Sequence, residues 1–237
     1  MPTFDTAMLR HLAPPTCACA FIPSTVTAFC VVLCASYLVG SVSWAFVIGK
    51  LKGVDIRKEG SGNLGATNVT RVLGKPWGVL CFFLDFLKGL LPALAARFLA
   101  APLGLSGGAA DCLLLAAVAG ALTGHIWSVF LRFKGGKGVA TGGGALAAVA
   151  PLAVLIAIII WVVIFKTSRY VSLASIIAVF FLPVAALGLS HLGVWPLSPI
   201  LLSLLTLASL LSIIKHRSNI VRLLNGTENR FTAEKKA

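Results

Sequence analysis

The chain has 237 residues, of which 58% are hydrophobic and 11% charged, less than half of the roughly 25% charged residues in a soluble domain. This composition, with a mean hydropathy of +0.98 and long uncharged runs, excludes an ordinary soluble protein and predicts an integral membrane protein. A net charge of +13 would suggest a nucleic-acid partner if the protein were soluble. Most of the basic residues, however, lie in four segments between or after apolar runs: residues 50–76, 132–137, 166–169 and 215–237. This clustering is typical of cytoplasmic loops of a membrane protein, so we predict no nucleic-acid partner.

The apolar runs predict where the membrane helices lie. Residues 1–24 are predicted to be an N-terminal extension without a clear signal-peptide cleavage site. Residues 25–230 are predicted to form a single membrane domain, followed by a C-terminal tail at 231–237. Five runs predict ordinary membrane spans, at about residues 25–50, 76–100, 111–131, 171–190 and 195–214.

Residues 138–165 allow either one long helix or two short helices broken at Pro151. One helix would place Lys166 and Arg169 outside the cell, whereas two helices place them inside, as the positive-inside rule favours. The split therefore predicts an all-α polytopic bundle of about seven membrane segments, with the N-terminus outside and the C-terminus cytoplasmic. Five or six segments are the alternatives. About fourteen helical residues reach only about 21 Å across a hydrocarbon core of about 30 Å, so the first short segment must be tilted or partly buried in protein.

The first polar motif is "GSGNLGATNVTR", residues 60–71, with three glycines at G-x-G-x-x-G spacing. A dinucleotide site needs a preceding strand, and the charged run before this motif has no strand-like alternation. Glycine-rich backbone can instead surround an anion with N–H groups, and arginine can bind phosphate oxygens in pairs. Ser61, Thr67, Asn68 and Arg71 are therefore candidate phosphate ligands. A flexible polar loop is the alternative.

The second motif is "GHIWSVFLRFKGGKGVATGGG", residues 124–144. It is not a Walker A loop, because that loop needs a glycine five residues before the lysine and a serine or threonine directly after it. What remains is Lys137 between Gly135, Gly136 and Gly138, just before a predicted helix start. A helix N-terminus with a nearby lysine attracts phosphate, so these four residues are candidate phosphate ligands.

The third motif is "KHRSNIVRLLNGTENR", residues 215–230. His216 and Asn219 are three residues apart, so they share one face of a helix. An ordinary interfacial histidine is the alternative for His216, but Asn219 and the following "NGTE" turn favour a functional site. The three motifs together indicate anion sites at the cytoplasmic surface of a membrane enzyme or carrier for phosphorylated substrates.

Asp85 and Lys88 lie three residues apart inside a predicted span and can neutralise one another. Ionisable groups inside a membrane are functional candidates by default, and a structural ion pair is the equal alternative. The six cysteines have no partner ligands at zinc spacing. We therefore predict neither a metal site nor a cofactor.

The three motifs in this order, with "LDFLKG" at 84–89 and "RYVSLASI" at 169–176, resemble the bacterial acyl-phosphate:glycerol-3-phosphate acyltransferases of the PlsY type. The resemblance covers about residues 25–230. The chain departs from the family at Trp127 and Ser128, where Phe-Pro is usual.

The resemblance implies transfer of a fatty acyl group from acyl phosphate to the 1-hydroxyl of glycerol 3-phosphate, giving lysophosphatidate and phosphate. It also implies direct transfer without an acyl-enzyme, at the cytoplasmic face of the bacterial inner membrane, with membrane lipid as the surroundings. The competing prediction is a transporter of phosphate or an organophosphate. Transporters are often built from two related halves, and no internal repeat is visible here.

The motif chemistry and the resemblance together predict the site. The candidate catalytic residues are Ser61, Arg71, His216 and Asn219. The candidate phosphate-binding residues are Arg71 again, with Thr67, Asn68, Gly135, Gly136, Lys137 and Gly138, and the resemblance adds Ser172 or Ser175. Thr227 and Glu228 are predicted to have structural roles in the C-terminal turn.

Overall fold

A computed structural model describes residues 18–231, with side chains from residue 25 onward. Residues 1–17 of the predicted extension and 232–237 of the predicted tail lie outside this range. The described residues form ten α-helices and one 3₁₀ turn (Val129–Leu131), with no strand, which confirms the all-α prediction and leaves no sheet for a dinucleotide fold. The helices are α1 (Ala18–Ser41), α2 (Trp44–Leu51), α3 (Ala66–Leu73), α4 (Lys75–Ala100), α5 (Gly107–Ile126), α6 (Val139–Ala147), α7 (Pro151–Ser168), α8 (Val171–His191), α9 (Pro199–Lys215) and α10 (Arg217–Leu224).

The break at Pro151 is confirmed, because α6 ends at Ala147 and Pro151 begins α7. Proline suits a first helical turn, where its missing N–H would have no intrahelical partner. Two boundaries differ from the predictions. The first helix begins at Ala18, so the last residues of the predicted extension are helical, and residues 66–73 of the first motif form α3.

Five stretches within residues 18–231 are long and apolar enough to cross a membrane: Thr25–Leu51, Lys75–Ala100, Gly107–Leu131, Pro151–Ser168 and Val171–His191. A sixth is present if α9 and α10, which meet at an angle of 55°, count as one bent span. Helix α6 has nine residues, too few to cross alone, and most of it is buried in protein. The total of seven segments and the orientation of the termini remain predictions.

Glycine allows α4 and α6 to touch backbone to backbone. A Cβ on Gly89 would collide with the carbonyl oxygen of Thr141, and one on Gly144 would collide with that of Phe86. Small residues are the usual means of close helix packing in membranes. This contact fixes α6, and with it the glycine-rich segment that precedes it, against the long helix α4.

Replacing Gly144 by leucine should destabilise the fold by about 1–3 kcal/mol, because the neighbour that must move is backbone and not a flexible side chain. Thermal unfolding in detergent should show a clear fall in midpoint. Gly143→Ala is the matched control, since a Cβ there meets nothing within 4 Å. An unchanged midpoint for the leucine variant would contradict the close contact.

Candidate active site

Two of the predicted motifs meet directly at Lys137 and Asn219. The Lys137 ammonium donates to Oδ1 of Asn219 at 2.5 Å, and the Asn219 amide donates to Oε1 of Glu228 at 2.7 Å. Lys137 comes from the segment between α5 and α6, and Asn219 from the first turn of α10. These two contacts join a cation, an amide and a carboxylate into one chain of hydrogen bonds, called below the Lys137 network.

Glu228 is the centre of this network. Its Oε1 also accepts from the Ser172 hydroxyl at 2.8 Å, and its Oε2 accepts from Arg222 Nε at 2.7 Å. Burial would raise the pKa of Glu228, but the hydrogen bonds from Asn219, Ser172 and Arg222 outweigh it and hold the pKa below its usual value. The carboxylate is therefore charged at neutral pH and orients three side chains. Its predicted structural role agrees with this geometry, and the Thr227 N–H closes the turn onto the Arg222 carbonyl at 2.8 Å.

Lys137 has a lowered pKa. Burial lowers it to about 8, Glu228 opposes the shift, and the positive charges of Arg222 and Arg71 add to it. The ammonium is thus only moderately basic, and the charges of Arg222 and Arg71 repel it. An incoming dianion would relieve this repulsion, which suits a phosphate site.

His216 lies at the bend between α9 and α10 and is only 2% exposed. Its Nδ1 lies 2.8 Å from the carbonyl oxygen of Ser212. Since a carbonyl can only accept, Nδ1 carries the proton and Nε2 carries the free lone pair. His216 is thereby able to accept a hydrogen bond from a hydroxyl on its Nε2 side.

Arg71 lies in the last turn of α3. Its Nη2 donates to the Asn229 carbonyl at 3.3 Å, and its guanidinium carbon lies 5.0 Å from the centre of the Phe231 ring. Burial lowers the pKa of Arg71 and Arg222 adds to this, while the charge of Glu228 opposes it. Few of its N–H groups are committed within the described residues, so Arg71 can still bind an anion.

Arg71 is on the wall of a large, mainly apolar cavity of about 1260 Å³. Thr67, Gly138, Ser212 and Asn229 also line its polar end. Three further basic residues are on the wall: Lys75, Arg169 and Arg230. Most of the remaining wall comes from apolar side chains of α4 to α9, among them Phe82, Phe86, Leu122, Ile158, Trp161 and Phe165. The cavity therefore connects a cationic end next to the Lys137 network with an apolar interior.

The structure gives Asn68 a role within its own loop, whereas the predicted role of Ser61 remains a prediction. Asn68 is fully buried, its amide donates to the carbonyls of Ile56 and Glu59, and its Oδ1 accepts from both the N–H and the hydroxyl of Ser61. No donor of Asn68 remains for a phosphate, so we reassign Asn68 to holding this loop together. Ser61 faces Asn68 and makes no described contact with the Lys137 network. The G-x-G spacing has a local cause, since Gly60 has φ +60 and lies directly against the Asn68 side chain.

Gly135 and Gly136 lie against the end of α5. A Cβ on Gly135 would collide with the His125 carbonyl, and one on Gly136 with the His125 ring. Gly138 has φ +83 and starts α6. These glycines therefore position the backbone that carries Lys137. The sequence instead predicted that they contact an anion directly.

The ion pair of Asp85 and Lys88 within α4 has the geometry of a buried structural ion pair. Lys88 and Asp85 make a 2.8 Å ion pair with side chains 4% and 2% exposed, and Lys88 also donates to the Val42 carbonyl at 2.6 Å. His125 lies 3.8 Å from the same carboxylate and 3.1 Å from the Thr141 hydroxyl. This buried group ties α4, α5 and α6 together, and its His125 ring lies against Gly136, next to Lys137.

The two serines of the "RYVSLASI" motif have different partners. Ser172 joins Glu228, whereas Ser175 accepts from the Trp161 indole at 3.1 Å and is buried between α7 and α8. Ser172 is therefore the better candidate for the site. Ser128 is one of the two positions at which the chain departs from the usual Phe-Pro. Its hydroxyl donates to the Ser41 carbonyl at 2.6 Å and fastens the end of α5 to α1.

Sequence reasoning missed the aromatic wall of the cavity, Arg222 and the residues after Glu228. Arg222 could have been found from the sequence, because in "RLLNGTE" it is separated from the acidic Glu228 by a short turn. The aromatic wall had no signal, since the long helices carry apolar side chains around most of their circumference.

Comparison with known proteins identifies the family. A protein-family model described as glycerol-3-phosphate acyltransferase matches residues 30–226. A glycerol-3-phosphate acyltransferase from Aquifex aeolicus is 47% identical over 196 residues, which cover 83% of this chain and 95% of that protein. One from Geobacter sulfurreducens is 43% identical, with 84% and 95% covered. The chain belongs to the glycerol-3-phosphate acyltransferase family.

The fold of this acyltransferase is also that of solved relatives. It matches the crystal structure of PlsY, an integral membrane glycerol 3-phosphate acyltransferase, in its glycerol 3-phosphate form, with a TM-score of 0.74, 44% identity, and 86% and 96% of the two chains covered. The lysophosphatidic acid form of PlsY gives a TM-score of 0.71 and 45% identity, with 86% and 95% covered. The resemblance seen in the three motifs is confirmed, and the protein is a PlsY-type integral membrane acyltransferase.

Proposed function

We propose that this acyltransferase moves a fatty acyl group from acyl phosphate to the 1-hydroxyl of glycerol 3-phosphate, at the cytoplasmic face of the bacterial inner membrane. The observation that carries the proposal is that Arg71 lies on the wall of the apolar cavity together with Gly138, the residue directly after Lys137. One substrate of this reaction is a small dianion and the other is an anion with a long apolar chain. A cationic end joined to an apolar interior suits both.

The acyl chain is proposed to lie in the cavity, with its phosphate at Arg71. The cavity exceeds the roughly 300–1,000 Å³ of an ordinary small-molecule site, so it has room for a long chain. Arg71 lies on its wall with Thr67, and a guanidinium can bind two phosphate oxygens at once. The apolar wall would also keep water from the activated acyl group.

Glycerol 3-phosphate is proposed to bind at Lys137 and Asn219, with Ser172 supporting them through Glu228. His216 would accept a hydrogen bond from the 1-hydroxyl on Nε2 and orient it toward the acyl carbonyl. The hydroxyl oxygen forms the new ester bond, the bond between the acyl carbon and the phosphate oxygen breaks, and the departing phosphate takes the proton. Positioning two bound reactants can supply several kcal/mol of rate acceleration, and donors to the developing oxyanion about 3 kcal/mol more.

The proposal is tested with purified protein, acyl phosphate and labelled glycerol 3-phosphate. We expect labelled lysophosphatidate and phosphate in equal amounts, and no product when acyl-CoA replaces acyl phosphate. Counterflow of glycerol 3-phosphate into vesicles without lipid product would instead support a carrier. An acyl-protein that hydroxylamine releases would contradict direct transfer.

The activity should depend on pH through Lys137. The phosphate of glycerol 3-phosphate is already a dianion above its second pKa of about 6. Because the pKa of Lys137 is lowered to about 8, the ammonium that binds this dianion is lost as the pH rises through 8. We therefore expect kcat/KM for glycerol 3-phosphate to be flat near neutral pH and to fall about tenfold per unit well above pH 8. Lys137→Arg should keep its charge and remove this fall, whereas a wild-type profile that stays flat to pH 10 would contradict the assignment.

A further inference from the structure

Residues 229–231, called here the C-terminal strap, line the large cavity. They lie beyond the residues that the family model matches, 30–226. Three contacts fasten the strap to the end of α7: the Phe231 N–H donates to the Arg169 carbonyl at 3.0 Å, Arg230 Nε donates to the Ser168 carbonyl at 3.3 Å, and the Phe231 ring meets the Phe165 ring edge-on at 6.0 Å. Arg169 ends α7 in the left-handed conformation, and its carbonyl accepts from the strap.

The strap also contacts Arg71. The Asn229 carbonyl accepts from Arg71 Nη2, and the Phe231 ring centre lies 5.0 Å from the guanidinium carbon. A guanidinium over an aromatic face is attracted by the ring quadrupole. Without these partners, a half-buried arginine at the end of a short surface helix has many rotamers to choose from.

We propose that Phe231 is a positioning residue for Arg71: its ring, seated on Phe165, holds the guanidinium in the orientation that receives the phosphate of acyl phosphate. This inference rests on the proposed function, because that function assigns the phosphate of acyl phosphate to Arg71. Phe231 also lines the cavity, and its effect is proposed to pass through Arg71, which the double substitution below tests. Its removal should therefore affect the acyl-phosphate side of the reaction and leave the Lys137 network intact.

The test compares Phe231→Leu, which keeps apolar volume without a ring, with Phe231→Trp, which keeps an aromatic face. We expect the leucine variant to raise the KM for acyl phosphate about fivefold, with the KM for glycerol 3-phosphate unchanged and the midpoint of thermal unfolding close to wild type. The tryptophan variant should stay within about twofold of wild type. Phe98→Ala is the control for loss of an aromatic ring elsewhere, since Phe98 is 73% exposed on α4. Equal behaviour of leucine and tryptophan, or equal rises in both KM values, would overturn the inference.

A binding measurement separates this inference from the proposed function. A hydrolysis-resistant acyl phosphonate should bind about fivefold more weakly to Phe231→Leu, and the same substitution should have no effect on binding when Arg71 is already alanine. Weak binding to Arg71→Ala but normal binding to Phe231→Leu would remove the inference alone. Normal binding to Arg71→Ala would remove the phosphate assignment on which it rests.

Discussion

Replacing Arg71 by alanine should lower kcat/KM for acyl phosphate about a thousandfold. Each hydrogen bond to a charged group contributes about 1.5–3 kcal/mol, and loss of a bidentate pair removes two of them, or about 4 kcal/mol. Arg71 lies on the cavity wall with Thr67, and Lys137 is already engaged with Asn219. Lys75, Arg169 and Arg230 also line the cavity, but each reaches it from a different element, and we expect none of them to reproduce the paired contact of Arg71. Initial rates with purified protein in detergent, at varied acyl phosphate, measure the effect.

Two variants delimit the Arg71 result. Arg57→Ala is the surface control, because Arg57 pairs with Asp55 in the exposed loop before the first motif and should keep near-normal rates. Arg71→Lys keeps the charge but not the planar pair of donors, so we expect an intermediate loss. Near-normal turnover of Arg71→Ala would remove Arg71 from the site.

Glu228→Ala should lower kcat/KM for glycerol 3-phosphate about a hundredfold and also weaken the fold. The substitution leaves Asn219, Ser172 and Arg222 without their common acceptor, so Asn219 no longer holds Lys137 in place. Since the Arg222 side chain is 38% exposed, water replaces part of the lost interaction. We expect a loss of about 2 kcal/mol in the free energy of unfolding, below the range for a fully buried pair. Kinetics and thermal unfolding of the same preparation separate the two effects.

Glu228→Gln tests which property of the carboxylate matters. Glutamine keeps a carbonyl that can accept from Asn219 and Ser172, but its amide would face the Arg222 guanidinium. Stability should recover in part and activity should remain well below wild type. The surface variant Glu59→Ala, whose backbone carbonyl alone takes part in the loop, should behave as wild type. An unchanged KM for glycerol 3-phosphate in Glu228→Ala would contradict the role of the network.

The three polar motifs were readable because their chemistry is local. A lysine between glycines and an arginine after a glycine-rich run are unusual in a chain this apolar, whatever surrounds them. The break at Pro151 was likewise readable, because the constraint of proline on its own turn does not depend on distant residues. The same motifs led to the prediction that Asn68 binds phosphate. A polar side chain in a glycine-rich loop is equally suited to binding an anion and to closing the loop, so the sequence could not distinguish the two roles.

The partners of each side chain depend on residues far away along the chain. Asn219 is 82 residues from Lys137, and Asn229 is 158 residues from Arg71. Ser172 and Ser175 are nearly equivalent in sequence, and only the packing of α7 and α10 against α8 gives one of them Trp161 and the other Glu228.

The sequence by itself determined that this protein is a helical membrane protein with basic, glycine-rich segments between its helices, because residue composition and local spacing carry that information directly. Only the tertiary structure decided which cations share a network, which amide serves the loop, and that an apolar cavity opens beside them. The physical reason is that hydrogen bonds and cavity walls form between residues that helix packing brings together from distant parts of the chain. Helices that are apolar around most of their circumference do not show in their sequence which face packs against which neighbour.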